Sequence, residues 1–312
     1  MQRKLVGLFL LLVSYFLFSG FSIQSIISSL TGNLVPQTLP KLSASPSGSL
    51  ITNIEIVLPP GTKGILPNLS FSYSSSGRNG LIGVGWELSG IHSISRDPSF
   101  GINYDGADDY VSSQAGPLID ISGNLSTFHS KRESWIRFIP TGICGDGPCS
   151  WAAMDKDGIT YTFGSTADSR IEALGRNGSV RAWTLSQVRD PFGNGYNVNY
   201  VEDTATGEYY PNQITYQNRS IRFEYEDRSD SNPAYFNGSL VQTTKRLESI
   251  EISVDGSLVR EYELGYSNGS LSGRSLLTSL SRSESSSFGS ESYADLNFNY
   301  GSDGFTLSDV SD

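Results

Sequence analysis

The sequence predicts an all-β chain of antiparallel hairpins that form a curved, shell-like sheet. Three observations carry this: apolar and polar residues alternate over short runs, turn-forming pairs separate the runs, and no amphipathic helix exceeds two turns. In chain order, Ile54 and Ile56 alternate with Asn53 and Glu55, then Leu69, Phe71 and Tyr73 with Ser70, Ser72 and Ser74. Tyr161 and Phe163, Val198 and Tyr200, and Ile221, Phe223 and Tyr225 continue the pattern. Ile250, Ile252 and Val254 follow, then Tyr262, Leu264 and Tyr266, and finally Leu296, Phe298 and Tyr300. Such strands have one oily face to bury and one polar face to wet. Asn79–Gly80, Asp105–Gly106, Asp157–Gly158, Asn177–Gly178 and Asp255–Gly256 are the turn signals between them.

Composition agrees. Of 312 residues only 17% are charged, 11% are aromatic, and Gly (33) and Pro (13) are plentiful. A coiled coil needs more Ala, Glu, Lys and Leu, and a disordered chain has fewer aromatics. The net charge of −10 disfavours a nucleic-acid partner, because phosphates would be repelled. Two His and two Cys are too few for a multi-ligand zinc or iron–sulfur site, so no metal and no cofactor are expected.

Arg3 and Lys4 precede an apolar run from Leu5 to Phe18, and Ser19, Gly20 and Ser22 follow. This is the pattern of a secretory signal peptide over residues 1–22. The alternative is an uncleaved anchor extended through Phe21, Ile23, Ile26 and Ile27. No later stretch is long and apolar enough to span a bilayer, so the mature chain is expected outside the cell. Residues 23–48 read as a Ser/Pro-rich linker, and 49–304 as one β-rich domain. In an oxidising compartment Cys144 and Cys149, flanking a Gly-Asp-Gly-Pro turn, fit a small-loop disulfide. A soft metal pair is the alternative, but it lacks two further ligands nearby.

A loose internal repeat begins near residue 183. The segment 183–200 places Asp190, Gly193 and Asn194 in a turn and Tyr200 on the packed face of the return strand. Shorter Tyr-terminated strands recur at 221–225, 258–266 and 296–300. Tandem hairpins of this kind are stable only when stacked, which implies an extended, curved assembly.

Several motifs resemble a known family. In residues 69–96 a strand ending at Tyr73 enters a glycine-rich connection, Gly77, Asn79, Gly80, Gly83 and Gly85, from which Trp86 and Leu88 start the next apolar run. This stretch resembles the hallmark of the SpvB family, shared by a Salmonella plasmid virulence protein and the B components of insecticidal toxin complexes. Gly101, Tyr104, Asp105, Asp109 and Tyr110 are similar to its next motif, and Arg132, Glu133, Ser134 and Trp135 to the one after. Trp151, Lys156, Asp157, Gly158, Tyr161, Phe163 and Gly164 resemble its Lys-Asp-Gly hairpin. The 183–200 segment resembles the family's lead into Rhs/YD-type repeats. Arg78, which interrupts the glycine run, and the Cys144–Cys149 loop depart from the pattern.

The resemblance implies a non-enzymatic structural module of an exported virulence protein. Its β-rich wall joins downstream shell and propeller segments around a toxic C-terminal cargo, and its partners are the A and C components of a toxin complex. Residues 305–312 then read as the start of an FG-GAP-like propeller continuation. A surface adhesin or carbohydrate-binding β-module is the binding alternative.

An ADP-ribosyltransferase is the enzymatic alternative, because some family members carry one. Glu224-x-Glu226 and Glu261-x-Glu263 match its Glu-x-Glu turn, yet both lie in alternating strands, where the spacing marks a wet face. No catalytic residue is assigned. A nucleophilic triad needs a relaying His. His92 and His129 read as polar-face and surface residues, and no Gly-x-Ser-x-Gly elbow exists. Asp155 with Asp157 reads as turn chemistry. Asp105, Asp108 and Asp109 lack the EF-hand pattern. The six Asn-x-Ser sequons, at Asn68, Asn124, Asn177, Asn218, Asn237 and Asn268, read as incidental in an Asn/Ser-rich bacterial chain.

Overall fold

The computed structural model describes residues 21–25, 34–35, 40–176, 178–286, 289–293 and 295–300. Residues 1–20 of the leader, the Asn177 half of one turn signal and the 305–312 continuation lie outside them. Within the span read as leader and linker, Phe21–Ser25, Leu34–Val35 and Ser43–Ala44 are strands, each paired to a later one.

Eight antiparallel strands pair in a closed ring. They are Ser93–Arg96, Tyr110–Ser112, Gly116–Asp120, Phe128–Ser130, Arg137–Thr141, Ser150–Met154, Thr160–Phe163 and Val180–Arg189, the last pairing back to the first. A ring of eight strands leaves an interior that side chains can fill. Phe138, Phe163, Trp151 and Trp183 fill it, each 1% exposed or less. Tyr110, Phe128, Trp151 and Trp183 meet edge to face, with centroids 4.9–5.9 Å apart, the arrangement that ring quadrupoles favour.

Val180–Arg189 is shared with a second, open sheet. From it the chain meanders through Gly195–Asp203, Glu208–Tyr216, Arg219–Asp227, Lys245–Val254, Ser257–Asn268, Ser275–Ser286 and Leu296–Tyr300. The inward residues are the alternating apolar set: Val198, Ile221, Phe223, Ile250, Ile252, Tyr262, Leu264, Leu296 and Phe298 are buried. Bulges interrupt the register after Asn199, Glu224, Ile252 and Gly265. Each inserts a residue on one strand and adds twist, which curves the sheet.

A four-stranded sheet, Ser43–Ala44, Leu50–Glu55, Ser70–Ser74 and Trp86–Ser89, packs onto the end of this meander. The Phe71 ring stands 6.1 Å from Tyr262, and Trp86 4.9 Å from Phe298. A separate hairpin, Pro233–Phe236 with Ser239–Gln242, projects from the meander.

Candidate functional site

The glycine-rich hallmark forms a clamp between the four-stranded sheet and the meander. Tyr73 pairs across from Trp86 with ring centroids 5.1 Å apart, and Trp86 is 1% exposed. Its indole N–H donates to the Tyr300 hydroxyl at 3.0 Å. Contact requires glycine at several positions of this segment, Gly83 and Gly85 among them. A Cβ on Gly83 (φ +88°) would stand 2.5 Å from the Ser275 carbonyl oxygen, and one on Gly85 (φ +80°) 2.6 Å from the Tyr73 ring. Leu88 is half-buried opposite Phe71.

The turn in this segment lies later than the sequence suggests. Asn79 and Gly80 are strand residues paired with Val84 and Gly83, and Leu81 and Ile82 make the turn. Ile82 is fully buried, so an apolar plug rather than the Asn-Gly pair sets the position.

A buried ion pair that sequence reasoning missed receives this hairpin. The Arg228 and Asp230 side chains are 1% and 5% exposed. Arg228 donates through Nε and Nη2 to the two Asp230 oxygens at 2.8 and 2.9 Å, and through Nη1 and Nη2 to the Gly80 carbonyl and Asn79 Oδ1 at 2.8 and 2.7 Å. Asp230 also accepts from Asn79 Nδ2 and from the Ser275 N–H and hydroxyl, all at 2.7 Å. Burial alone would raise the Asp230 carboxyl. Arg228, Ser275 and Asn79 outweigh it and hold the group far below the usual carboxylate range.

The repeat-like segment has a similar economy of parts. Asp190 Oδ1 accepts from the Phe192 and Asn194 N–H groups at 2.9 and 2.8 Å, and Oδ2 from Asn194 Nδ2 at 2.7 Å. Gly193 (φ +85°) lets the loop close. Tyr200 is buried; its N–H donates to Asp168 Oδ2 at 2.8 Å and its hydroxyl to the Leu185 carbonyl at 2.7 Å.

Cys144 and Cys149 are disulfide-bonded, with Cα atoms 4.8 Å apart. Their loop lies across one end of the eight-stranded ring, where Trp183 Nε1 donates to the Pro148 carbonyl at 2.9 Å. Beneath it Arg96, fully buried, donates to the Val180 carbonyl at 2.8 Å and pairs with Asp108. Asp108 further accepts from the Asn103 and Tyr104 N–H groups, so both its oxygens are engaged. No group of three or more His, Cys, Asp or Glu able to hold a metal ion occurs among the described residues.

The Glu-x-Glu pairs do not converge on a pocket. Glu224 pairs with Arg222, and Glu226 with Arg246 at 2.7 Å, on either side of the half-buried Tyr225. Glu261 lies opposite Glu251. His129 sits in a strand opposite Arg137, and His92 lines a cleft beside Arg181 and Glu208. Burial pushes His92 down and Glu208 up from their usual values.

Comparison with known proteins places this geometry. The family model described as SpvB, Salmonella virulence plasmid 65kDa B protein, matches residues 44–136 and 141–250. A curated relative, mono(ADP-ribosyl)transferase SpvB of Salmonella choleraesuis (strain SC-B67), is 24% identical over 217 residues, which are 60% of this chain and 35% of that protein. The same-named Salmonella typhimurium protein is 24% identical over 213 residues, with the same coverage. The chain thus spans about a third of the length of these relatives. Among solved structures, the TcdB2-TccC3 crystal structure superposes with TM-score 0.71 and 17% identity, over 88% of this chain and 17% of that one. The N-terminal domain of effector protein SpvB from Salmonella typhimurium strain LT2 gives 0.64 and 18%, over 75% of this chain and 99% of that domain. At such identities the likeness is one of fold.

Proposed function

Since the chain belongs to the SpvB family, that of the Salmonella virulence plasmid 65kDa B protein, we propose that it is a non-enzymatic wall module of an exported toxin-complex or Rhs-type protein. The meander from residue 195 to 300 supplies one curved side of a shell. The eight-stranded ring and the hallmark clamp brace its two ends. The observation that carries this reading is the continuous, bulged sheet sharing Val180–Arg189 with the ring. One face of it is buried by packing, and the Arg228–Asp230 hub ties it to the hallmark hairpin, an arrangement that supports a rigid enclosure.

The partners in this reading are downstream shell and propeller segments, together with the A and C components of a toxin complex. The TcdB2-TccC3 likeness supports them. Export rests on the basic head and apolar run of residues 1–22. Among the described residues no helix is long and apolar enough to cross a membrane.

Electron microscopy of the protein assembled with its toxin-complex partners tests the proposal. Residues 195–300 are expected to line a closed cavity. A freely tethered domain with no enclosed volume would overturn it. The curated relatives are named for ADP-ribosyl transfer, which gives the enzymatic reading its own test. Label transfer from NAD to actin, abolished by Glu224→Gln or Glu261→Gln, would establish it; none is expected, because those carboxylates serve ion pairs and a wet strand face.

A further inference from the structure

A cleft opens between the ring, the hallmark segment, the meander and the projecting hairpin. It encloses about 440 Å³, within the range of small-ligand sites. Four charged side chains line it, Arg78 and Arg181 against Glu87 and Glu208, and their formal charges cancel. A phosphate, a nucleotide or a polycation would meet no matching excess. His92 is held below its usual value by burial, so at neutral pH it adds an uncharged donor and acceptor.

The mouth of the cleft is aromatic. Phe236, 46% exposed, shares the cleft-side face of the projecting hairpin with Ala234 and Val241, and Tyr209 lines the wall within; Tyr235, 80% exposed, lies on the opposite face with Leu240. Exposed rings on a floppy loop would mean little, but this hairpin is held at several points. Its turn residues Asn237 (φ +49°) and Gly238 (φ +71°) suit a two-residue hairpin connection, and the Asn237 carbonyl accepts the Tyr104 hydroxyl. The Ser239 hydroxyl accepts the Leu174 N–H at 2.9 Å, and the Gln242 N–H donates to the Thr206 carbonyl at 2.9 Å. A platform fixed in advance loses little entropy when a ligand docks.

A ligand that fits must be neutral, rich in hydrogen-bonding groups of both senses, and flat and apolar on one face. We propose that this cleft is a binding site for a neutral saccharide, its ring stacked on Phe236 and its hydroxyls directed to Glu208, Asn232 and His92. A ligand-binding role of this kind goes beyond the wall reading.

The test uses the full chain on an array of neutral and sialylated oligosaccharides, followed by calorimetric titration with the strongest neutral glycan. Retention of neutral glycans is expected. Phe236→Ala is expected to weaken binding tenfold or more, and Tyr235→Ala, on the opposite face of the same strand, to leave affinity within twofold, both with the far-ultraviolet circular dichroism unchanged. Phe192→Ala, an exposed ring on the 183–200 hairpin, is expected to leave affinity within twofold. No neutral glycan retained, retention of sialylated glycans alone, or hits indifferent to Phe236→Ala would each overturn the proposal.

Discussion

The Tyr266 hydroxyl donates a 2.6 Å hydrogen bond to the backbone carbonyl of Leu247 on the preceding strand. The backbone ladder between these strands ends at the pair Ser249–Glu263, so the bond lies three residues beyond the ladder on one side and two on the other. The same offsets recur along the meander. Tyr200 donates to Leu185 beyond the pair Gln187–Asn197, Tyr225 to Pro211 beyond Gln213–Arg222, and Tyr300 to Leu277 beyond Ser279–Asn297. Where a hairpin splays, a carbonyl leaves the ladder, and the tyrosine satisfies it without closing the gap. The strands can therefore stagger and curve at little cost in hydrogen bonds.

Tyr266→Phe is accordingly expected to destabilise by about 1–2 kcal/mol, because it leaves the Leu247 carbonyl unpaired in a half-buried site. Urea denaturation reads this. Tyr235→Phe, on the exposed hairpin, is expected to change stability by less than about 0.5 kcal/mol. Equal effects at both positions would show that the interstrand bond contributes nothing.

Trp86→Ala is expected to cost about 3–5 kcal/mol, the usual range for removing a large buried aromatic. The indole is 1% exposed between Tyr73 and Phe298 and donates to Tyr300, so the cavity would open where the two sheets meet. A thermal melt indistinguishable from wild type would refute its role as the clamp's core.

Asp230→Asn breaks a buried pair from one side and is expected to cost about 3–5 kcal/mol at neutral pH. The acid behaviour follows from the lowered carboxyl. The folded protein holds this group ionised more strongly than the unfolded chain does. Its contribution is present above the ordinary value of 3.8 and lost as pH falls below it, toward the depressed folded value. Urea midpoints between pH 6 and 2 should fall steeply for wild type and more shallowly for Asp230→Asn. Parallel profiles would contradict the assignment.

Much of this architecture was legible because period-two alternation reports directly which face is buried. The Tyr-terminated strands stood out for the same reason: the tyrosine at the end of Asn-Val-Asn-Tyr (197–200) or Asn-Phe-Asn-Tyr (297–300) keeps the inward phase. Burial on both faces was not legible. Val180–Arg189 lies between ring and meander, so Arg181, Thr184 and Ser186 are as hidden as Trp183 and Leu185, and alternation there carries no information. Arg96 and Arg228 were missed because their partners, Asp108 and the Asn79–Gly80 hairpin, depend on tertiary approach. Only the position of Arg96, in phase with Ile94, hinted at an inward cation. The Asn79–Gly80 turn was misplaced because local propensity was overridden by burial of Ile82.

The insertion between Phe163 and Val180 meets the meander at a carboxyl pair, Glu172 on Arg170–Glu172 and Glu202 on Gly195–Asp203. Burial, then the nearby Glu172 carboxylate and a hydrogen bond with it, push Glu202 up to about 7; Arg181 offsets this only in part. A raised acid favours the folded state while it is protonated. That stability is present in full below the ordinary value of 4.5 and is lost as pH rises through about 7. Wild type is therefore expected to lose stability between pH 5 and 8. Glu202→Gln keeps a hydrogen-bonding partner for Glu172 without the second charge, and should flatten that slope and exceed wild type in urea midpoint at pH 8. If Glu202→Gln is the less stable protein at pH 8, the two carboxyls do not share a proton across this junction.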